Sequence, residues 1–82
     1  MLLEKFNKEP GYNPNALIDG LVKQMNLKND AALARILDVQ APILSKVRNL
    51  RAPVTSGLLL RMHEVTRTPV STLRNMMGVR SR

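Results

Sequence analysis

Residues 40–49, QAPILSKVRN, set an amide (Gln40), a hydroxyl (Ser45), an ammonium (Lys46) and a second amide (Asn49) among Ala41, Pro42 and the apolar Ile43, Leu44 and Val47. On a helix, positions 41, 42, 45, 46 and 49 recur at spacings of three, four and seven, which gathers them on the side away from Leu44 and Val47. Such a face donates and accepts hydrogen bonds; it holds no acid–base pair and no nucleophile. The rest of the chain supplies no catalytic set either: it has no cysteine, His63 is its one histidine, and the carboxylates are scattered singly. Neither a nucleophile–base pair nor a metal cluster can be assembled from these residues. The sequence predicts a binding protein that is not an enzyme, without cofactor or metal, in which His63 is structural.

Charge narrows the class of partner. The net charge is +7, and it is unevenly spread. Residues 1–38 hold five bases and five acids, whereas residues 39–82 hold eight bases, Lys46, Arg48, Arg51 and Arg61 among them, against Glu64 alone. An excess confined to one half points to a polyanion, nucleic acid ahead of a membrane surface. The longest apolar run, Leu58-Leu59-Leu60, is far short of the roughly 20 residues of a membrane-spanning helix, so no membrane span is expected, and the first reading includes no membrane partner. The amino terminus carries acids and prolines where a secretory signal needs an apolar segment. With no cysteine to suggest an oxidising compartment, a cytoplasmic protein is expected.

The elements that position this face must be helices. Apolar residues make up 44% of the chain but aromatic residues only 2%, an aliphatic mixture that favours helix. Asn13 as cap and Pro14 at the first helical position open helix one, about 14–26, with Leu17, Leu21 and Met25 on one face. Asn29 caps helix two, about 30–37, and Asp30 lies at its positive end. Pro42 fits the first turn of helix three, about 41–49, and Pro53 forbids its continuation. Thr55 caps helix four, about 56–67; Thr68-Pro69 repeats the cap-then-proline signature for helix five, which Gly78 ends. Short connections and no strand signal predict a compact all-α domain over 13–78, an arm at 1–12 and a basic tail at 79–82. Without cysteines it depends on packing, and an exposed Leu2, Leu3 and Phe6 would have to fold over helix one or meet another subunit.

Two short helices set end to end around Asp38-Val39-Gln40 raise a specific expectation. A short helix, a turn of about three residues and a second helix crossing it steeply is the arrangement in which the first braces the second in a DNA major groove. It requires a small residue at the crossing (Ala34), a first turn residue able to adopt positive φ (Asp38), an apolar plug in the turn (Val39), and inward anchors three apart (Leu44 and Val47). The stretch Asp38-Val39-Gln40-Ala41-Pro42-Ile43-Leu44-Ser45-Lys46-Val47-Arg48-Asn49 resembles the Cro and phage-lambda repressor-like (Xre-like) helix-turn-helix family, many of whose members read approximately Gly-Val-Ser-Gln-Pro-Thr-Ile-Ser-Arg-Ile-Glu-Asn. The likeness continues in LLLRMHEVTRTPVSTLRNMMG, which resembles the family's fourth and fifth helices, and covers roughly residues 13–78. The chain departs from the pattern at Asp38 (for Gly), Gln40 (for a Ser or Thr cap) and Ala41 (for a frequent base-reading Gln).

The resemblance implies a compact five-helix lambda-repressor-like domain whose helix three lies in the major groove. Gln40 and Lys46 would then face base edges, since Gln can pair with adenine and Lys can donate to guanine O6 and N7. Ala41, Pro42, Ser45 and Asn49 complete the implied reading face. Ile43 lies at its border, where packing is the first reading and contact with a thymine methyl the second. Asn29 and Asp30, in the opening turn of helix two, resemble the family's phosphate-clasping N-terminus, and Arg48 and Arg51 are placed to reach flanking phosphates. The implied function is a transcriptional repressor binding double-stranded DNA at a palindromic operator as a homodimer. Two alternatives stand beside it: an antitoxin that represses its own operon while arm or tail holds a toxin, and a cationic module that docks an acidic protein or an anionic membrane surface.

Overall fold

Asn13, Asn29 and Thr55 each turn a side-chain oxygen onto the backbone N–H three residues ahead, at 3.2, 3.0 and 3.1 Å, relieving donors that a helix start leaves unpaired. The computed structural model describes residues 11–78. In it these caps open α1 (Pro14–Gln24), α2 (Asp30–Leu37) and α4 (Ser56–Thr66), while α3 (Ala41–Arg48) and α5 (Val70–Met76) begin without a side-chain cap. Among the described residues there is no strand, and the all-helical expectation holds. The arm, with Leu2, Leu3 and Phe6, lies almost wholly outside the described residues, as does the tail.

The helices also stop by a shared device. Asn26, Asp38 and Leu50 adopt left-handed φ of 55°, 58° and 60°. In each case the following residue's N–H returns to a carbonyl five residues back: Leu27 to Val22 at 2.8 Å, Val39 to Ala34 at 3.0 Å, Arg51 to Lys46 at 2.8 Å. This Schellman closure satisfies carbonyls a helix end would otherwise strand. It also shortens helix one, which ends at Gln24 and not near 26, because Asn26 has already left the helical region. Arg67 ends α4 with φ 61°. Asp38 therefore performs the turn expected of it without a glycine, through the tolerance of its short polar side chain for this region.

The core is aliphatic. Leu17, Ile18, Leu21, Leu33, Leu37, Leu44, Val47, Met62, Leu73 and Met77 are fully buried, Ala34 nearly so, and Val39 packs against them. α3 packs on α1 and α2, α4 on α2 and α5, and α5 on α1. The expectation that Thr68 caps the last helix is corrected: Pro69 occupies that position without a side-chain bond. The Thr68 hydroxyl instead points inward, accepting from Gln24 Nε2 at 2.9 Å and sharing a 2.9 Å bond with Thr66 Oγ1, which in turn donates to the Met62 carbonyl. Two buried hydroxyls are thus satisfied together, as burial requires. His63 makes a local backbone contact: its Nδ1 lies 2.8 Å from the Thr68 carbonyl, and because a carbonyl only accepts, Nδ1 carries the proton.

The two ends of the described chain meet. The Asn13 N–H donates to the Met77 carbonyl at 2.7 Å. Gly11 and Gly78, both at positive φ, approach so closely that a Cβ on Gly78 would collide with the Gly11 carbonyl.

Candidate nucleic-acid interface

α3 carries only two fully buried side chains, Leu44 and Val47. Ala41, Pro42, Ile43, Ser45 and Lys46 are exposed along it, with Gln40 before it and Asn49 after it also exposed. The left-handed Asp38 turns the chain out of α2, so α3 does not run straight on from its predecessor. Gln40 stands at the cap position of α3 but makes no side-chain capping bond. Among the described residues, the Lys46 ammonium and the exposed Arg51 guanidinium take part in no ion pair. Asn49 is different, because its Nδ2 donates back to the Ser45 carbonyl at 2.9 Å.

Arg48, expected to reach flanking phosphates, has partners within the protein. Its guanidinium is turned inward: Nε and Nη2 donate to Asp30 Oδ2 and Oδ1 at 2.6 and 2.9 Å, Nη1 to Asn15 Oδ1 at 2.6 Å, and Nη2 to Asp19 Oδ1 at 2.6 Å. Asn15 returns a bond from Nδ2 to the Arg48 carbonyl at 3.3 Å. One side chain thus ties the end of α3 to the first turn of α2 and to α1. Arg48 follows Leu44 by four and Val47 by one, which puts it beside the inward stripe, but that spacing names none of its partners. Asp30 belongs to the same network: its carboxylate accepts from Arg48, and the Asn29 carboxamide occupies the Ala32 N–H.

The hydrogen bonds from Arg48 hold the Asp30 carboxyl below its ordinary value of 3.8, against a smaller opposing effect of burial. Asp30 in turn pushes the Arg48 guanidinium upward, with a smaller contribution from Asp19. A second arginine, unassigned by the sequence, contacts the turn that leads into α3. Arg61 of α4 reaches the C-terminus of α2, with Nη1 3.0 Å from the Leu37 carbonyl and 3.3 Å from Asp38 Oδ2. A cation at a helix C-terminus meets its unpaired carbonyls and the negative end of its dipole. The visible cue was a base placed where a neighbouring helix could reach the turn, but no local spacing in the sequence specifies that neighbour.

No family model, curated protein or solved structure matches this chain. Among the described residues no group of histidines, cysteines or carboxylates could hold a metal ion, and no helix is long and apolar enough to cross a membrane.

Proposed function

We propose that the protein is a sequence-specific double-stranded DNA-binding regulator, a helix-turn-helix domain of the lambda-repressor-like kind in which α3 enters the major groove. The observation that carries this reading is the outward face of α3, with an amide at Gln40 that makes no capping bond and an ammonium at Lys46 that makes no ion pair among the described residues, on a helix whose far end Arg48 ties to α1 and α2. The excess of bases in residues 39–82 supports it, as does the resemblance across residues 38–49. One short helix covers only a few base pairs, so the natural assembly is a homodimer on a palindromic operator with half-sites about 34 Å apart, acting as a repressor by occupying promoter DNA.

Selection of bound duplexes from a random pool tests this reading. An enriched inverted repeat is expected; binding without any enriched sequence rejects it. Within that assay, Lys46→Ala is expected to cost roughly 1–3 kcal/mol on the selected site and to relax preference at one base pair. An unchanged specificity profile would remove Lys46 from the base-reading set. Arg51→Ala is expected to weaken binding to all sequences alike and to shallow the salt dependence by about one unit. The phosphate role fails if the slope stays the same.

A further inference from the structure

The solvent side of α4 holds three residues that the fold itself does not call for. Gly57, Leu60 and Glu64 are all exposed there, and at spacings of three, four and seven they form one stripe about two turns long. Leu60 is a large hydrocarbon, 52% exposed. Gly57 has no positive φ that would demand glycine, and a Cβ built on it would meet only the Thr55 hydroxyl, at 4.0 Å. Glycine weakens a helix relative to alanine, so nothing within the described residues accounts for it. Glu64 is the one acid of residues 39–82 and makes no ion pair among the described residues. Leu50 is more exposed than Leu60, at 61%, but it stands in the turn after α3 between Asn49 and Arg51, without such companions.

A second copy of α4 complements this stripe. A two-fold contact sets each residue against a defined residue of the other copy. With the two helices parallel, Glu64 would face the partner's Glu64, and like charges would meet. With them antiparallel about Leu60, the two Leu60 side chains meet, and Glu64, four residues on, lies opposite the partner's Ser56 and Gly57. There the glycine leaves room for close approach, and the carboxylate meets the positive end of the partner helix. A nucleic-acid backbone would be repelled by Glu64, and a wholly apolar partner would leave that charge stranded. We infer that the stripe Gly57, Leu60, Glu64 is the contact between two copies of this chain, α4 packing antiparallel on α4. It deepens the homodimer proposed above and rests on that reading for its role on DNA. The complementarity is local: two copies at +7 repel overall, and so short a stripe covers well under the roughly 800 Å² per partner of a stable complex. The contact is therefore weak in solution and takes effect when one duplex holds two copies side by side.

Sedimentation of the full chain without DNA, at concentrations up to about 1 mM and in salt high enough to screen the net charge, tests the contact by itself. The parent should form dimers. Gly57→Ala should dimerise about tenfold more weakly, because an added methyl enters the crossing twice, yet melt no lower than the parent, since alanine favours helix. Leu60→Ser should also weaken the dimer about tenfold, and Glu64→Gln about fivefold. On an inverted repeat selected from random duplexes, the parent should fill the two half-sites cooperatively; Gly57→Ala should keep the affinity for one half-site and lose the cooperativity. A parent that stays monomeric throughout overturns the inference whatever the DNA assay shows, as do dimers that Gly57→Ala and Leu60→Ser leave as tight as the parent's. Dimers weakened as expected, but with half-sites filled independently, overturn the role of the contact on DNA. Failure to enrich any sequence overturns the DNA-binding function, while the contact still stands or falls by sedimentation.

Discussion

Arg48→Ala should lower the melting temperature by about 10 °C and leave the salt dependence of DNA binding, measured on folded protein, unchanged. Bonds to charged partners contribute roughly 1.5–3 kcal/mol each when well sheltered, but Asp19 is largely exposed and Asp30 about a third exposed. Solvent screening reduces such pairs considerably, so the whole network is set at about 2 kcal/mol, and a domain of this size shifts by roughly 4–8 °C per kcal/mol. The acid limb carries a second signature. Because Arg48 lowers the Asp30 value in the folded state, the pair's contribution is fully present above the ordinary carboxylate value of 3.8 and is lost as pH falls through the lower native value. Asp30→Asn should therefore flatten the loss of stability below about pH 4. A variant at Arg48 that melts like the parent but loses about one unit of salt slope would put the guanidinium on a phosphate after all.

Leu44→Ala should unfold the domain at ordinary temperatures, with the cooperative helical transition in circular dichroism lost or moved below about 30 °C. Leu44 is fully buried, and truncating such a side chain costs roughly 2–5 kcal/mol. A small domain has only about 5 kcal/mol of stability in total. Ile43→Ala, one residue away, should melt within a few degrees of the parent because so much of that side chain already faces solvent. Equal destabilisation by the two substitutions would mean that α3 does not present the face described for it.

Caps and inward stripes were legible in the sequence because they depend on neighbours three and four residues apart. Asn13-Pro14, Asn29 and Thr55 open their helices as expected, and the Leu44 and Val47 anchors are buried as their spacing requires. What was not legible depends on partners distant in the chain. Arg48 meets Asn15, Asp19 and Asp30, and Arg61 meets the Leu37 carbonyl; a long cationic side chain can reach in several directions, and only the packed helices decide which. Thr68 belongs with these. Its local sequence resembles a cap, but a polar side chain of α1, Gln24, lies where it can draw the hydroxyl inward. Ile43 was ambiguous for a related reason, since a residue at the edge of an amphipathic stripe is covered or not according to how closely the neighbouring helix approaches.

The clasp between Asn13 and Met77 makes the folded unit topologically close to a ring. A short tether across that seam would allow the chain to be cut open at another loop without separating any helix from its neighbours. For the same reason the unit could be spliced into a surface loop of an unrelated host, since it asks the host to hold only two adjacent attachment points.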